Sequence, residues 1–420
     1  MTRRSLADWL RWQETLSPRE IDLGLERVSV IASRLCLEPP ANSVFTVAGT
    51  NGKGTTVRFL ENLLAAGGRS AAVYTSPHLL RYNERVCVGG REVTDAELVL
   101  AFETVEGARR QVPLTYFEFG TLAALWLFSR GAYDAWILEV GMGGRLDAVN
   151  VVDPTISLIT TVDLDHQRWL GDSVNAIGAE KAGIMRQHQI ALFGQRTAPR
   201  SVLERARELE ADFRMLGRDF DYRTGETEWA WSGRGNQVQG LPALKIGDAP
   251  QYANASLALA AIEAHDANLL NRARVADGLM RPGPAGRFQL VRRDHVWVLD
   301  VAHNPQAAAT LLGRLQHMGE YRDTTAVIGM LADKQIAPFI DVLAGTVCRW
   351  VTCTVDGTRV ASAAALASEI RAGGELPVVE STDPFEALAL AARLTPRGQR
   401  ILVCGSFRLV GPALEWLGLY

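Results

Sequence analysis

The sequence predicts an α/β protein of two domains. The first, residues 1–283, carries a mainly parallel sheet and a phosphate loop; the second, residues 284–420, is a smaller Rossmann-like α/β domain. Three observations lead there. At 420 residues the chain exceeds the usual reach of one hydrophobic core. Apolar runs of strand length alternate with segments of helical period, the pattern of a parallel sheet covered on both faces. The segment RPGPAGR, Arg281 to Arg287, combines two prolines and two glycines that break any regular element, and the alternation restarts after it.

Taken in order, MTRRSLADWLRWQETL reads as an amphipathic helix, because Asp8, Arg11 and Glu14 interrupt the unbroken apolar core that a signal peptide needs. Ser17-Pro18-Arg19-Glu20 has the form of a capping box and predicts a helix running to about Leu35. SVFTVAG reads as strand, followed by a glycine-rich turn and by TTVRFLENLLAAGG as helix. AAVYTS (strand), TDAELVLAFETVEGARR (helix), TYFEFGTLAALWLFSR (a buried helix), DAWILEV and TISLITTV (strands) and SVNAIGAEKAGIM (helix) continue the series. TSPHLLRYNER, after the second strand, reads as a charged excursion long enough to act as a mobile lid. From about 217 to 250, short Trp-containing segments suggest an antiparallel meander, with helices expected at 252–265 and near 271–280. In the second domain HVWVLDVA, TTAVIGM, CRWVTC and RILVCG read as strands separated by helices, the first of them from Pro305 to Met318.

Composition narrows the function. With 47% hydrophobic and 22% charged residues the chain is globular, and no apolar run approaches the roughly 20 residues of a membrane span. Five dispersed cysteines at 36, 87, 348, 353 and 404, without metal spacing, fit reduced thiols in a cytoplasmic protein. A net charge of −3 with no basic stripe excludes nucleic acid as the expected partner. Lysine occurs only at 53, 181, 245 and 334 in a chain that otherwise uses arginine, which draws attention to each.

The loop VAGTNGKGTT, Val47 to Thr56, joins strand to helix with glycines on both sides of a lysine. Unpaired N–H groups and the positive end of a helix dipole suit phosphate, Lys53 adds a point charge, and Thr55 or Thr56 offers an oxygen toward Mg²⁺. Val47 and Gly54 depart from the strict GxxxxGK[ST] pattern. Glu139 ends a buried strand just before Gly141, Gly143 and Gly144, and Asp165 and His166 follow the strand TISLITTV. Ligands of open α/β sheets bind beyond such strand ends, so Thr55, Glu139 and His166 are expected on one edge. Ser76 and His78 follow another strand end. Lys181 by itself reads as an ordinary helical surface charge. Asp300 and His303, with Arg287 one strand earlier, fit either a nucleotide contact or plain cap and turn residues.

Together, GTNGKGTT, TSPHL, EVGMGGRLDA, LDH, EKAGI, GRFQ, DVAHNP and VCGSF stand in the order found in the folylpolyglutamate synthase and dihydrofolate synthase family, which the chain resembles over nearly its whole length. The family belongs to the ATP-dependent amide ligases, beside the muramyl ligases. IDLGLERV and LTYFEFGTL match its bacterial bifunctional type. The resemblance implies ATP and two Mg²⁺ ions as cofactors, and dihydropteroate, folates and L-glutamate as substrates of a cytoplasmic monomer. It implies that Thr50, Asn51, Gly52, Lys53, Gly54 and Thr55 wrap the ATP phosphates, with Asn254, Arg287, Asp300 and His303 at the nucleotide. Ser76 and Glu139 would hold one Mg²⁺ and His166 a second. Lys181 matches a lysine carried as a carbamate, whose anionic oxygens a hard cation accepts. Asp22, Leu23, Gly24 and Leu25, Thr115, Tyr116, Phe117 and Glu118, and Leu146, Asp147 and Ala148 match dihydropteroate-binding stretches. Lys53, Glu139, His166 and Lys181 are thus the expected catalytic set.

Two other readings stay open at this level. One is a muramyl-type ligase, against which only about 45 residues precede the phosphate loop, too few for a domain that holds a UDP-sugar. The other is a non-enzymatic, ATP-dependent switch.

Overall fold

The computed structural model of the protein describes residues 4–17, 21–37, 39, 43–319 and 321–420. They form two compact units, Met1–Pro282 and Gly283–Tyr420, divided within the Arg281–Arg287 segment.

The sheet of the first unit contains β1 (Val44–Ala48), β2 (Ala71–Tyr74), β3 (Val86–Val88), β4 (Arg91–Glu92), β5 (Ala135–Glu139), β6 (Ile156–Ile159), β7 (Ile190–Phe193) and β8 (Asp212–Met215). Their order is β4-β3-β2-β5-β1-β6-β7-β8, with β2, β5, β1, β6, β7 and β8 parallel and β3 and β4 antiparallel. The sheet is therefore mixed, not uniformly parallel. Its helices are α1 (Leu6–Gln13), α2 (Glu26–Arg34), α3 (Lys53–Ala66), α4 (Asp95–Arg109), α5 (Tyr116–Ser129), α6 (Gln167–Leu170), α7 (Val174–Ala182), α8 (Arg200–Glu208), α9 (Ala249–Asp266) and α10 (Arg272–Met280). A three-stranded antiparallel meander, β9 (Asp221–Thr224), β10 (Glu228–Ser232) and β11 (Gln237–Pro242), stands where the Trp-rich segment predicts it.

Alternation along each strand builds two hydrophobic layers. Val44 and Ala48 of β1 and Trp136 and Leu138 of β5 enter one layer with Trp9, Phe102, Phe119 and Phe128. Phe45 and Val47 of β1 and Ile137 of β5 enter the other with Leu60, Leu257, Trp229 and Trp231. Side chains two apart share a face, so one short strand serves both layers. Each fully buried Phe or Leu contributes about 1.5–3 kcal/mol.

Two expectations need correction. The Ser17-to-Glu20 capping box falls partly on residues 18–20, outside the described residues, and the helix begins at Glu26, much later than predicted. Residues 21–24 are irregular; the Asp22 carbonyl accepts a hydrogen bond from Arg27 Nη2 at 2.6 Å. Secondly, TSPHLLRYNER is a packed bend and not an open lid. The Glu84 carboxylate accepts the N–H groups of Leu79, Leu80 and Arg81 at 2.7, 2.7 and 2.6 Å, and Tyr82, Asn83 and Arg85 are buried. A hairpin that the sequence reading lacks follows this bend: β3 pairs with β2, and β4 with β3.

In the second unit β12 (Gln289–Arg292), β13 (Val296–Leu299), β14 (Thr324–Ile328), β15 (Arg349–Cys353), β16 (Val378–Ser381) and β17 (Arg400–Cys404) form a six-stranded sheet ordered β12-β13-β17-β14-β15-β16. All but β12 run parallel. Its helices are α11 (Pro305–His317), α12 (Ile336–Ala344), α13 (Ala363–Gly373), α14 (Pro384–Leu394) and α15 (Phe407–Trp416).

Candidate active site

Strands β2, β5, β1 and β6 lie side by side and parallel, so the residues that follow them emerge at one edge: Ser76, Glu139 and its successors, the Gly49–Thr55 loop, and His166. The strand after β1 pairs not with it but with β5, and neighbouring connections part at this edge, where α/β sheets hold ligands.

The loop after β1 is stitched to the residues after β6. Thr50 N–H donates to Thr161 O at 2.8 Å and Asn51 N–H to Thr161 Oγ1 at 3.0 Å, while Thr160 Oγ1 donates to Asn51 O at 2.6 Å. Thr50 Oγ1 donates to Asp163 O at 3.1 Å. The amides of Thr50 and Asn51 therefore fix the loop, and the first turn of α3, whose N-cap is Gly52, has the geometry that suits an anion. Lys53 Nζ donates to Gly49 O at 2.9 Å, folding its ammonium over the same loop.

Glycine is required at two of these positions. A Cβ on Gly49 would overlap Thr160 Oγ1. Gly52 has φ +85°, and a Cβ there would lie 2.6 Å from Asn254 Oδ1, which places Asn254 of α9 directly against the loop. Gly52→Ala should cost roughly 1–2 kcal/mol for the left-handed backbone alone and displace Asn254. The expected readout is a lowered unfolding temperature with loss of the stabilisation that Mg-ATP gives the wild type; full retention of that stabilisation would contradict the placement.

Glu139 is 4% exposed, accepts Ser76 N–H at 3.2 Å, and both its carboxylate oxygens would lie 3.7 Å from a Cβ on Gly54. The carboxylate thus adjoins the first turn of α3. His166 has φ +50° and caps α6; its N–H donates to Asp165 Oδ1 at 2.8 Å. Lys181 is the largest departure from the reading of its residue alone: it is 3% exposed, not a surface charge. Lys53, Asp165, His166 and Lys181 line one small cavity with Gly49, Thr50 and the turn after Glu139. Burial, then the charge of Lys53, lowers the Lys181 amine to about 7, against the opposing pull of Asp165 and Asp147.

The three stretches matched to dihydropteroate also converge. Arg27 Nη2 donates to Glu118 Oε1 at 2.9 Å, and Arg27 Nη1 pairs with Asp22 Oδ2 at 2.9 Å, tying the 22–25 segment to the start of α5. Thr115 and Glu118 form a capping box, with Thr115 N–H to Glu118 Oε2 at 2.7 Å. A Cβ on Gly141 would lie 2.7 Å from the Phe117 ring and 3.2 Å from Asp147 Oδ2, so the third stretch adjoins the second. Burial pushes Asp147 up to about 7, while N–H groups of Met142, Val149 and Gly141 and the charge of Lys53 pull it down. Leu23, Leu25, Tyr116, Phe117 and Leu146 keep partial exposure; Gly24 and Ala148 are buried.

In the second unit Asp300 follows β13, buried, with its carboxylate accepting N–H groups of Phe288 at 2.9 Å and Ala302 at 2.8 Å. Burial raises its pKa against the charges of Arg287 and Arg314. His303 Nδ1 lies 2.9 Å from Val301 O, and Asn304 caps α11 by accepting Ala307 N–H at 2.9 Å. Arg287 is partly exposed at the start of this cluster.

Arg27 and the Thr160–Thr161 pair escape sequence reading because no spacing marks them; Arg27 is visible only as a residue inside IDLGLERV. Among the described residues no three His, Cys, Asp or Glu side chains form a self-contained metal centre. A carboxylate beside a phosphate-type loop fits Mg²⁺, which is bound by one or two carboxylates and completed by substrate phosphates.

Residues 47–209 match the Mur ligase middle domain and residues 286–407 the Mur ligase glutamate ligase domain, which places the chain among the Mur-type ligases. The dihydrofolate synthase/folylpolyglutamate synthase of Escherichia coli is 42% identical over 411 residues, 98% of this chain and 95% of that protein. Its counterpart in Haemophilus influenzae is 34% identical over 96% of both chains. The structure matches E. coli FolC in complex with DHPP and ADP with a TM-score of 0.93 at 40% identity, over 99% of this chain and 98% of that one. It also matches a bifunctional folylpolyglutamate synthase/dihydrofolate synthase with Mn, AMPPNP and L-glutamate bound, TM-score 0.90, 40% identity, over 99% and 98%. The chain belongs to the dihydrofolate synthase/folylpolyglutamate synthase family.

Proposed function

We propose that this ligase joins L-glutamate to dihydropteroate and to folates through an acyl phosphate, with its reacting groups at the carboxyl edge of the first sheet. ATP-dependent ligation of glutamate to folates is the activity of the chain, and it uses ATP and a divalent metal. The observation that carries the site is that Gly49, Thr50, Lys53, His166 and, from α7, Lys181 line one cavity beyond adjacent parallel strands, with Glu139 against the loop at Gly54.

In the first step a carboxylate oxygen of dihydropteroate or folate attacks the γ-phosphorus of ATP and ADP leaves. In the second the glutamate amine attacks the acyl carbon, phosphate departs with that oxygen, and the amine loses a proton. No side chain becomes a covalent nucleophile, so catalysis rests on positioning and charge. The first turn of α3 and Lys53 receive the phosphates, and Asn254, set against Gly52, serves the nucleotide. Ser76 and Glu139 would hold one Mg²⁺ and His166 a second, and Lys181 as a carbamate would offer anionic oxygens to a metal ion; when bound, these ions supply positive charge against the transferring phosphoryl group. Asp22–Leu25, Thr115–Glu118 and Leu146–Ala148 hold the pteroate. The protein works on small molecules as a monomer in the cytoplasm; its five free cysteines support that compartment.

Incubation with ATP, L-glutamate and either dihydropteroate or tetrahydrofolate should give, by mass spectrometry, products heavier by glutamyl residues in both cases. Reaction with only one acceptor would remove the corresponding half of the proposal.

A further inference from the structure

The geometry points to Arg27 as a positioning residue that sets the shape of the pteroate site by clamping the 22–25 segment onto the start of α5. This inference rests on the reading of Asp22–Leu25 and Thr115–Glu118 as pteroate-binding stretches.

The two segments are distant in sequence: Arg27 and Glu118 are 91 residues apart. The guanidinium grips both. Its Nε and Nη2 donate to Glu118 Oε1 at 3.1 and 2.9 Å, Nη2 also donates to Asp22 O at 2.6 Å, and Nη1 meets Asp22 Oδ2 at 2.9 Å. Glu118, with 4% of its side chain exposed, gives its other oxygen to Thr115 N–H at 2.7 Å. Both Glu118 oxygens are thus engaged in holding structure, which recasts Glu118 from a direct substrate contact to an anchor for Arg27. The clamp matters because residues 21–24 adopt neither helix nor strand. Packing places helices; a carbonyl in an irregular loop needs a directed donor, and the planar fork of arginine reaches a carboxylate and a carbonyl together. An amine on a lysine stem has no such fork.

The test is steady-state kinetics of the full chain with dihydropteroate as the varied substrate. Arg27→Met, which keeps the apolar stem, should raise KM for dihydropteroate on the order of 10- to 100-fold, with KM for ATP and the thermal stabilisation by Mg-ATP unchanged. Arg27→Lys should recover part of the loss. Asp22→Asn leaves Glu118 neutralised and serves if Arg27→Met does not fold; it should raise the same KM by a smaller factor. A purely structural role would lower the unfolding temperature without altering KM for dihydropteroate, and that result overturns the inference. Phe117→Ala separates the clamp from the substrate assignment beneath it. If it raises KM for dihydropteroate while Arg27→Met does not, only the clamp fails; if neither does, the assignment of the segments fails with it.

Discussion

Replacing Lys53 by methionine lowers kcat on the order of 10³-fold and leaves the unfolding temperature without nucleotide nearly unchanged. The ammonium sits over the loop carbonyls of Gly49 and Thr50 at 2.9 and 3.5 Å, partly exposed, so its removal opens no core cavity. What disappears is the positive charge beside the first turn of α3, where the proposed mechanism puts the transferring γ-phosphoryl group. A second consequence follows from the shared cavity. The charge of Lys53 is one cause of the lowered pKa of Lys181, so Lys53→Met raises the proton affinity of Lys181 and disfavours its carbamate. Kinetics together with thermal unfolding, with and without Mg-ATP, check both parts. A kcat within a few-fold of wild type would remove Lys53 from the mechanism.

Lys181→Ala should abolish turnover to a comparable degree, and millimolar acetate or formate should restore part of it, because a small carboxylate supplies the anionic oxygens that the proposed carbamate would provide. Failure of every short acid to rescue a folded variant would argue against the carbamate. The same residue gives a pH signature. The amine titrates near 7 in the folded chain against 10.5 for an unperturbed lysine. Between those values the unfolded chain binds a proton that the native chain does not, so stability should rise with pH from about 7 to 10.5 in wild type freed of CO₂. The rise should vanish in Lys181→Ala, and bicarbonate should flatten it in wild type, since a carbamate no longer titrates as an amine. Asp147 acts in another window: its pKa is raised from 3.8 to about 7, so its contribution falls as pH climbs through that interval.

Much of this site was legible in the sequence for a local reason. The strand-turn-helix at Val47–Thr56 is contiguous, and the glycines at 49 and 52 stand where a side chain would meet Thr160 or Asn254. Glu139 and His166 could be placed beyond strand ends because β5 is apolar up to Glu139 and β6 is apolar apart from Ser157. The fold class followed from the same alternation. Long-range pairings were not legible. That β5 inserts between β1 and β2 depends on contacts across the whole first unit. The β3 and β4 hairpin has strands of three and two residues, too short for a periodic signal. The late start of α2 hides in a side-chain hydrogen bond to Asp22 O. Lys181 shows the limit most clearly: its helix has no distinct apolar stripe, and only the packing of α7 beside the cavity makes its amine buried. There the scarcity of lysine marks the residue, but only the family resemblance suggests a role for it.

Transfer of oxygen tests the central chemistry. With dihydropteroate labelled by ¹⁸O in its carboxylate, ATP and L-glutamate, the inorganic phosphate released in a single turnover should carry one labelled oxygen, because that atom leaves the acyl carbon bound to phosphorus. Unlabelled phosphate alongside full product formation would contradict both an acyl phosphate and the part played by the loop that receives it.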